Sequence, residues 1–485
     1  MGIITNIRLL NQRRTKILAT LGPASSDPAI IKRLILAGAD VIRLNMSHGD
    51  HAGHAQYYHQ VRAIAADLAV PLAIVADLCG PKIRVGKFPD GEIALVSGSE
   101  VIVTTRDVLG GPKLIPSLYP DLAKDVTARD RILLNDGDLE LQVRSVEGTE
   151  ILCTVLRGGT LKNNKGMNLP QVNISAPSFT ARDRKDAIFA LDLGVDFLAL
   201  SFVRNAGDIQ ALRDLIHGHG SDAGIIAKIE KPEALEQASV ILELSDAIMV
   251  ARGDLGVELN LEQVPIAQNQ LIARARSKNR PVIVATQMLE SMIEHARPTR
   301  AEVSDVSQAV SAGADAVALS GETAIGKHPV EAVEMMARIA KQTEAFHFWS
   351  RRPAWTTDLI TRQEGPAAFG DAVAEAAAHL AFDLAARAIV VISQSGTSAV
   401  TVSSRRPSAP IVAVTSSVTV ARRMNLMWGV IPVVAADVGR THPNRVARRI
   451  ARQLELAQPG EFVLLVRGFH SDTQLNTPSI TVLAA

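Results

Sequence analysis

Only two cysteines, Cys79 and Cys153, occur in 485 residues. Two thiols make no disulfide framework, and Met1 to Ile17 lacks the basic, apolar and small-residue succession of a secretory leader, so a reducing cytoplasm is expected. Aromatic residues are scarce, at 4%, which leaves few platforms for stacking single-stranded bases. An excess of either charge is also missing: 51 basic residues face 50 acidic ones, so no overall field draws in nucleic acid or an anionic membrane. Although 47% of the chain is hydrophobic, no uncharged apolar run approaches the ~20 residues that span a bilayer. Nucleic acid and membranes are therefore not expected partners.

What is present is a rhythm. Short apolar, β-branched runs recur at 17–21, 41–44, 72–76, 197–202, 225–229, 248–251, 282–285 and 316–319. Continuous runs, unlike alternating ones, mark strands buried on both faces, as in a parallel sheet covered by helices. Helical spacing fills the intervals: 27–37 opens on Asp27-Pro28 and ends at Gly38, and 261–276 and 329–339 repeat the pattern. Eight such units, closed by right-handed crossovers, predict a (β/α)8 TIM barrel within an α/β protein.

The third unit is interrupted. After Asp77, a long span precedes the next helix at 183–193 and holds its own runs at 92–96, 101–105, 131–134, 139–146 and 151–156. This predicts a small antiparallel β-barrel domain inserted as a lid, hinged at Gly80-Pro81 and Ala176-Pro177, that excludes water from the reacting groups. Past Phe346, a helix at 371–385 and strands at 388–392, 411–414, 430–434, 462–466 and 480–483 predict a further α/β domain behind a linker near 349–369. The expected division is a barrel of residues 1–80 and 176–347, a lid of 81–175 and a C-terminal domain of 348–485.

Chemistry in such barrels gathers at the carboxyl ends of the strands. Here the runs end in Gly22-Pro23, Asn45-Met46-Ser47-His48, Asp77, Ser201, Glu230, Arg252-Gly253-Asp254, Thr286-Gln287 and Ser320-Gly321-Glu322. Such residues also serve as ordinary caps and turns, but here all eight endings carry them. Lys228 and Glu230 stand two apart and so face the same way on a strand, and Asp254 follows the next strand. Two carboxylates with positions left open for water and substrate oxygens suit Mg²⁺ or Mn²⁺, and an adjacent lysine suits a phosphorylated anion. The same spacing would also serve a buried Lys–Glu pair that only ties two strands together.

Arg43 shares a barrel mouth with Asn45, Ser47 and His48, and its forked donors match a phosphoryl group. Gly321 to Lys327 has P-loop spacing, yet His328 stands where Ser or Thr must hold Mg²⁺, so the stretch reads as a loop leading to a helix near Pro329. Ser393-Gln394-Ser395-Gly396-Thr397-Ser398 follows a strand and opens a helix. Hydroxyls and amides there either converge on a phosphate or simply cap the helix.

With these residues placed, the chain resembles the pyruvate kinase family from Thr15-Lys16-Ile17 through to its last strand. Residues 20–25, 43–49, 228–230, 249–258, 285–292, 297–303 and 319–323 carry the resemblance. It implies a cytoplasmic homotetramer of glycolysis that moves the phosphoryl group of phosphoenolpyruvate onto ADP, giving pyruvate and ATP. Glu230 and Asp254 are implied as ligands of the divalent ion. The amides of Gly253 and Asp254, with the Thr286 hydroxyl, are implied to hold the substrate carboxylate, and Lys228 and Arg43 to stabilise the phosphoryl group in transit. Asn45, Ser47, His48, Arg84 and, from the lid, Lys165 are implied as nucleotide-phosphate contacts, with a second Mg²⁺ arriving with ADP. Protonation of enolpyruvate is implied to run through ordered water near Thr286 and Ser320.

One departure follows the third strand, where many relatives have Asp-Thr-Lys-Gly-Pro-Glu and this chain has Asp77-Leu78-Cys79-Gly80-Pro81-Lys82. Potassium-requiring relatives hold the ion with residues matching Asn45, Ser47, Asp77 and the main-chain oxygen of Leu78, near that Glu. A Lys82 ammonium would supply the positive charge itself, so activity without added potassium is expected. Ser393, Ser395, Gly396, Thr397 and Ser398 match the family's effector loop, which implies activation by a phosphorylated sugar or AMP that shifts a tetramer between states. Residues 468–477 depart from the Gly-rich pattern that closes this site in relatives. Two other readings are a Mg²⁺-dependent lyase or aldolase, which needs neither lid nor nucleotide contacts, and a catalytically dead sensor, which intact Lys228, Glu230, Asp254 and Thr286 oppose.

Overall fold

In a computed structural model that describes residues 13–135, 137–349, 368–470 and 476–485, each of the eight runs becomes a strand without an exposed residue. They are β1 Lys16–Thr20, β2 Val41–Asn45, β3 Ala73–Asp77, β4 Phe197–Leu200, β5 Gly224–Ile229, β6 Ala247–Ala251, β7 Val282–Ala285 and β8 Ala316–Leu319. Sequential neighbours pair in parallel, and β8 closes on β1. Both faces are apolar because each faces a core. Leu18, Val75, Ile226 and Ile283 fill the barrel, while Ile17, Ile74, Ile225 and Val284 pack under the helices.

The fourth strand stops at Leu200 because Phe202 turns into the left-handed region, at φ 54°. A 3-10 turn, Leu261–Gln263, precedes the helix Val264–Ser277. The last barrel helix, Pro329–Trp349, runs past the expected end near Ile339. Its second half keeps a buried face that includes Glu344, only 2% exposed. That carboxylate accepts the amides of Arg14 and Thr15 and the Thr15 hydroxyl, pinning the entry to β1.

Between β3 and β4 a curled six-stranded sheet runs in the order Met167–Asn168, Arg131–Leu134, Leu139–Glu147, Glu150–Arg157, Glu100–Thr104 and Leu114–Pro116. Its last pair is parallel, against the all-antiparallel expectation. Gly159–Lys162 and Glu92–Leu95 form a separate ribbon. All eight strands enclose a core of their own, including Val103, Ile115, Ile132 and Leu141. Gly80 has φ +69°, and a Cβ there would stand 2.7 Å from the Phe202 ring, so only glycine fits this exit from the barrel. The returning segment is held by Arg204, which donates to the carbonyls of Ile174 and Ala176 and to Ser178 Oγ.

The C-terminal sheet orders β9 Ala388–Ile392, β10 Ile411–Thr415, β11 Val430–Val434, β12 Phe462–Arg467 and β13 Ser479–Ala484 as β11-β10-β9-β12-β13. Only the last pair is antiparallel. Helices cover both faces. The fully buried Arg406 fastens this domain to the barrel: it lies over the Trp428 ring at 5.0 Å and pairs with Asp315 at 3.0 Å. Cys79 and Cys153 are both buried and unpaired, and burial pushes the Cys153 thiol up to about 12. Among the described residues no helix is long and apolar enough to cross a membrane. The expected linker near 349–369 and part of the 468–477 segment lie outside the described residues.

Candidate active site

Parallel closure places every strand's carboxyl end at one mouth, and the polar endings converge there. Lys228, near the end of β5, is 2.9 Å from Glu230 Oε1 and 3.4 Å from Asp77 Oδ1. Its ammonium also donates to Ser201 Oγ at 2.6 Å. Burial alone would strip its proton, but the two carboxylates outweigh burial and raise the pKa above the ordinary lysine value. Lys228 is therefore a fixed positive charge. Asp77, buried at the end of β3, would be driven up by burial. Lys228 and Arg43 instead hold it below the usual carboxylate range.

Arg43 is pinned edge-on. Its Nε donates to Asp77 Oδ2 at 2.6 Å and its Nη1 to Thr20 Oγ1 at 3.1 Å. Nη2 takes no partner among the described residues. Glu230 is 1% exposed, and its Oε2 accepts the Phe202 amide at 2.8 Å. Burial pushes its carboxyl up, Lys228 pulls it down, and the facing Asp254 pushes it up again. Two carboxylates that repel each other across a mouth suit a shared cation. Among the described residues no cluster of three or more His, Cys, Asp or Glu forms a complete metal cage, so a cation here would need oxygens from water or substrate.

The Gly253 amide donates to Thr286 Oγ1 at 2.7 Å, and that hydroxyl donates to the Ala285 carbonyl at 2.6 Å. Asp254 follows in the same short helix, Arg252–Glu258. Ser320 donates its amide to Glu322 at 2.8 Å, a buried carboxylate that also receives the Leu289 amide and that burial pushes up. Asn45 pairs with His48 Nδ1 at 3.2 Å and its Oδ1 accepts the Ser47 amide.

Toward the insert, a wide cleft is lined by Ser47, His48, Lys82, Arg84, Tyr119 and Arg182. Burial lowers the His48 pKa, and Lys82, Arg84, Arg43 and Arg182 lower it further. Lys82 is exposed on this rim, and its side chain has no hydrogen bond or ion pair among the described residues. It makes no hydrogen bond or ion pair with Asn45, Ser47, Asp77 or Leu78, although it lines the cleft with Ser47. Lys165 sits in the insert, where its carbonyl accepts the Val85 amide beside Arg84, and its ammonium has no hydrogen bond or ion pair among the described residues.

Ser201 and Arg182 were given no role among the expected site residues. Ser201 directly follows β4 as one of the eight strand endings, so the strand-end rule already pointed to it. Arg182 lies on the helix that follows the insert, and no spacing marks it.

The C-terminal loop lies far from this mouth in the chain. Ser393 and Ser398 are buried, while the exposed Ser395 and the half-buried Thr397 are hydrogen-bonded to each other at 2.9 Å. Ser393 Oγ accepts the Gly396 amide, and the helix Thr397–Ser404 begins there. A pocket beside it is closed by barrel residues Asp246, Asn279 and Arg280.

Comparison with known proteins gives one answer throughout. Residues 12–333 match the family model described as pyruvate kinase, barrel domain, and residues 371–483 match pyruvate kinase, alpha/beta domain. A pyruvate kinase of Agrobacterium vitis is 43% identical, over 98% of this chain and 97% of its own. Pyruvate kinase 2 of Synechocystis is 44% identical, over 94% of this chain and 76% of its own. A solved pyruvate kinase from Cryptosporidium parvum superposes with a TM-score of 0.90 at 35% identity, covering 98% of this chain and 97% of its own.

Proposed function

The chain belongs to the pyruvate kinase family, and from that premise we propose how its barrel mouth passes the phosphoryl group of phosphoenolpyruvate to ADP. The observation that carries the reading is the protonated lysine at the centre: Lys228 sits between Asp77, Glu230 and Ser201. Phosphoryl transfer needs positioning and fixed charge more than a covalent intermediate, and Lys228 with Arg43 supplies that charge to the equatorial oxygens. Asp77 serves both cations, orienting Arg43 so that Nη2 faces the reacting group. Glu230 and Asp254 would hold one Mg²⁺, or Mn²⁺, and their mutual repulsion fits that role. The bound ion would neutralise charge on phosphoryl and enolate oxygens.

The substrate carboxylate takes the Gly253 and Asp254 amides and the Thr286 hydroxyl. On binding, the Gly253 amide exchanges Thr286 Oγ1 for a carboxylate oxygen. Thr286 and Ser320 flank the water that protonates enolpyruvate. Nucleotide phosphates enter the cationic cleft of Asn45, Ser47, His48, Arg84 and, from the lid, Lys165, with a second Mg²⁺ carried by ADP; Arg182 joins this set. The lid, residues 81–175, closes over barrel residues 1–80 and 176–347, and residues 348–485 form the effector domain.

Potassium independence is part of the same reading. Arg43 and Lys228 flank the two oxygens of Asp77, Ser201 Oγ occupies the Leu78 carbonyl at 2.8 Å, and the Ser47 amide occupies Asn45 Oδ1. Lys82 adds positive charge to that rim without a hydrogen bond or ion pair to the group. At Ser393, Ser395, Gly396, Thr397 and Ser398 we place a phosphorylated sugar or AMP that activates a cytoplasmic homotetramer. Phosphoenolpyruvate saturation curves that do not change with a panel of sugar monophosphates and AMP would remove that part.

The function itself is tested by ADP-dependent pyruvate release titrated with Mg²⁺. Asp254→Asn is expected to need at least roughly tenfold more Mg²⁺ for half-maximal rate, because one of two carboxylate ligands is lost. An unchanged Mg²⁺ requirement would take Asp254 out of the metal site.

A further inference from the structure

We propose that Arg252, backed by Asp305, is a positioning residue that holds the Thr286 hydroxyl and the Gly253 amide as one unit for the substrate carboxylate. The inference rests on the carboxylate reading of Thr286 given above. Thr286 and Gln287 are consecutive residues in the left-handed region, at φ +68° and +54°. Neither is glycine, and for a β-branched threonine this conformation is disfavoured unless its surroundings enforce it.

The strand ends at Ala285, so the turn has no ladder to hold it. Its two carbonyls are taken instead by one guanidinium. Arg252 Nη2 donates to Thr286 O at 2.8 Å and to Gln287 O at 3.1 Å. Nη1 is 2.6 Å from each carboxylate oxygen of Asp305. Arg252 is 9% exposed, so this fork is shielded from competing water. Its own carboxyl side continues into Gly253, whose amide donates to Thr286 Oγ1 at 2.7 Å. The residue therefore grips the turn twice, through its main chain at the end of β6 and through its side chain after β7. A lysine ammonium is a point charge without the fork and cannot serve two carbonyls and a carboxylate in one plane.

The test compares Arg252→Lys, Asp305→Asn and Thr286→Ala with the wild-type enzyme. KM for phosphoenolpyruvate, KM for ADP, the inhibition constant of oxalate (a planar dianion shaped like enolpyruvate) and the melting temperature are measured for each. Arg252→Lys is expected to raise the phosphoenolpyruvate KM and the oxalate constant together by roughly tenfold, leaving KM for ADP unchanged, because misplacement weakens only the carboxylate donors. Asp305→Asn should move the same two constants in the same direction by less.

Unchanged constants in folded Arg252→Lys, while Thr286→Ala raises them, overturn the positioning role alone. Thr286→Ala without effect overturns the carboxylate reading and the inference with it. A rise in both KM values with a lowered melting temperature in Arg252→Lys and Asp305→Asn alike reduces Arg252 to a fold-holding residue.

Discussion

His48 stands on the cleft rim among Arg43, Lys82, Arg84 and Arg182, and burial together with those cations keeps its imidazole below the ordinary value. An unfolded chain then binds the proton first as pH falls, so His48 costs stability below about pH 6.5 and nothing above it. Nucleotide phosphates placed in the same cleft reverse the local field. ADP binding near pH 6 is therefore expected to take up protons, read as a binding enthalpy that varies with the ionisation heat of the buffer. His48→Gln should lose that variation, and a wild-type enthalpy equal in every buffer would contradict the placement of ADP at His48. At this scale the sequence was informative wherever a residue's place on a strand fixed its direction. Lys228, Glu230 and Asp254 share one mouth because they lie at or just past the carboxyl ends of β5 and β6. The left-handed turn at Thr286 has no such signal, since neither Thr nor Gln favours it and Arg252, far away in sequence, enforces it.

Elements carried most of the legible information. Strands buried on both faces write themselves as continuous apolar runs, so the eight barrel strands lie close to where those runs fall. Leu114–Pro116, Gly159–Lys162 and Met167–Asn168 are two to four residues long, too short to show alternation. The long helix to Trp349 was hidden by Glu344, a charged residue whose burial only the fold explains. The same kind of long-range pairing lies under the insert: Lys231 and Glu258, 5% exposed each, are 2.7 Å apart, and they line one cleft with Asn168 of the insert. Asn168→Ala is expected to loosen the insert over the barrel mouth and admit water. Its readout is a raised ratio of ADP-independent to ADP-dependent pyruvate formation, with faster proteolysis within residues 81–175. An unaltered ratio would mean that Asn168 does not help to seat the insert.

For the whole molecule, the barrel collects the reacting groups and the C-terminal domain is bolted beneath it. The helix Thr397–Ser404 begins at the Ser395–Thr397 loop and ends directly before Arg405 and Arg406. Those arginines pair with Asp371 and Asp315, and Asp315 in turn accepts the Val282 and Trp428 amides. A phosphate at one end of this helix would thus be linked through packed, hydrogen-bonded groups to the start of β7, whose other end bears Thr286. The most direct single test of the chemistry is pyruvate formation from phosphoenolpyruvate, ADP and Mg²⁺ in buffer free of sodium and potassium. It is run for the wild-type chain and Lys228→Met, then repeated with potassium. The predicted result is ADP-dependent turnover indifferent to potassium, with kcat lowered roughly a thousandfold in Lys228→Met and the phosphoenolpyruvate KM little changed, because a fixed transition-state charge has been removed. Turnover that appears only with potassium would contradict the role given to Lys82. A Lys228→Met enzyme that still transfers the phosphoryl group at the wild-type rate would contradict the mechanism itself.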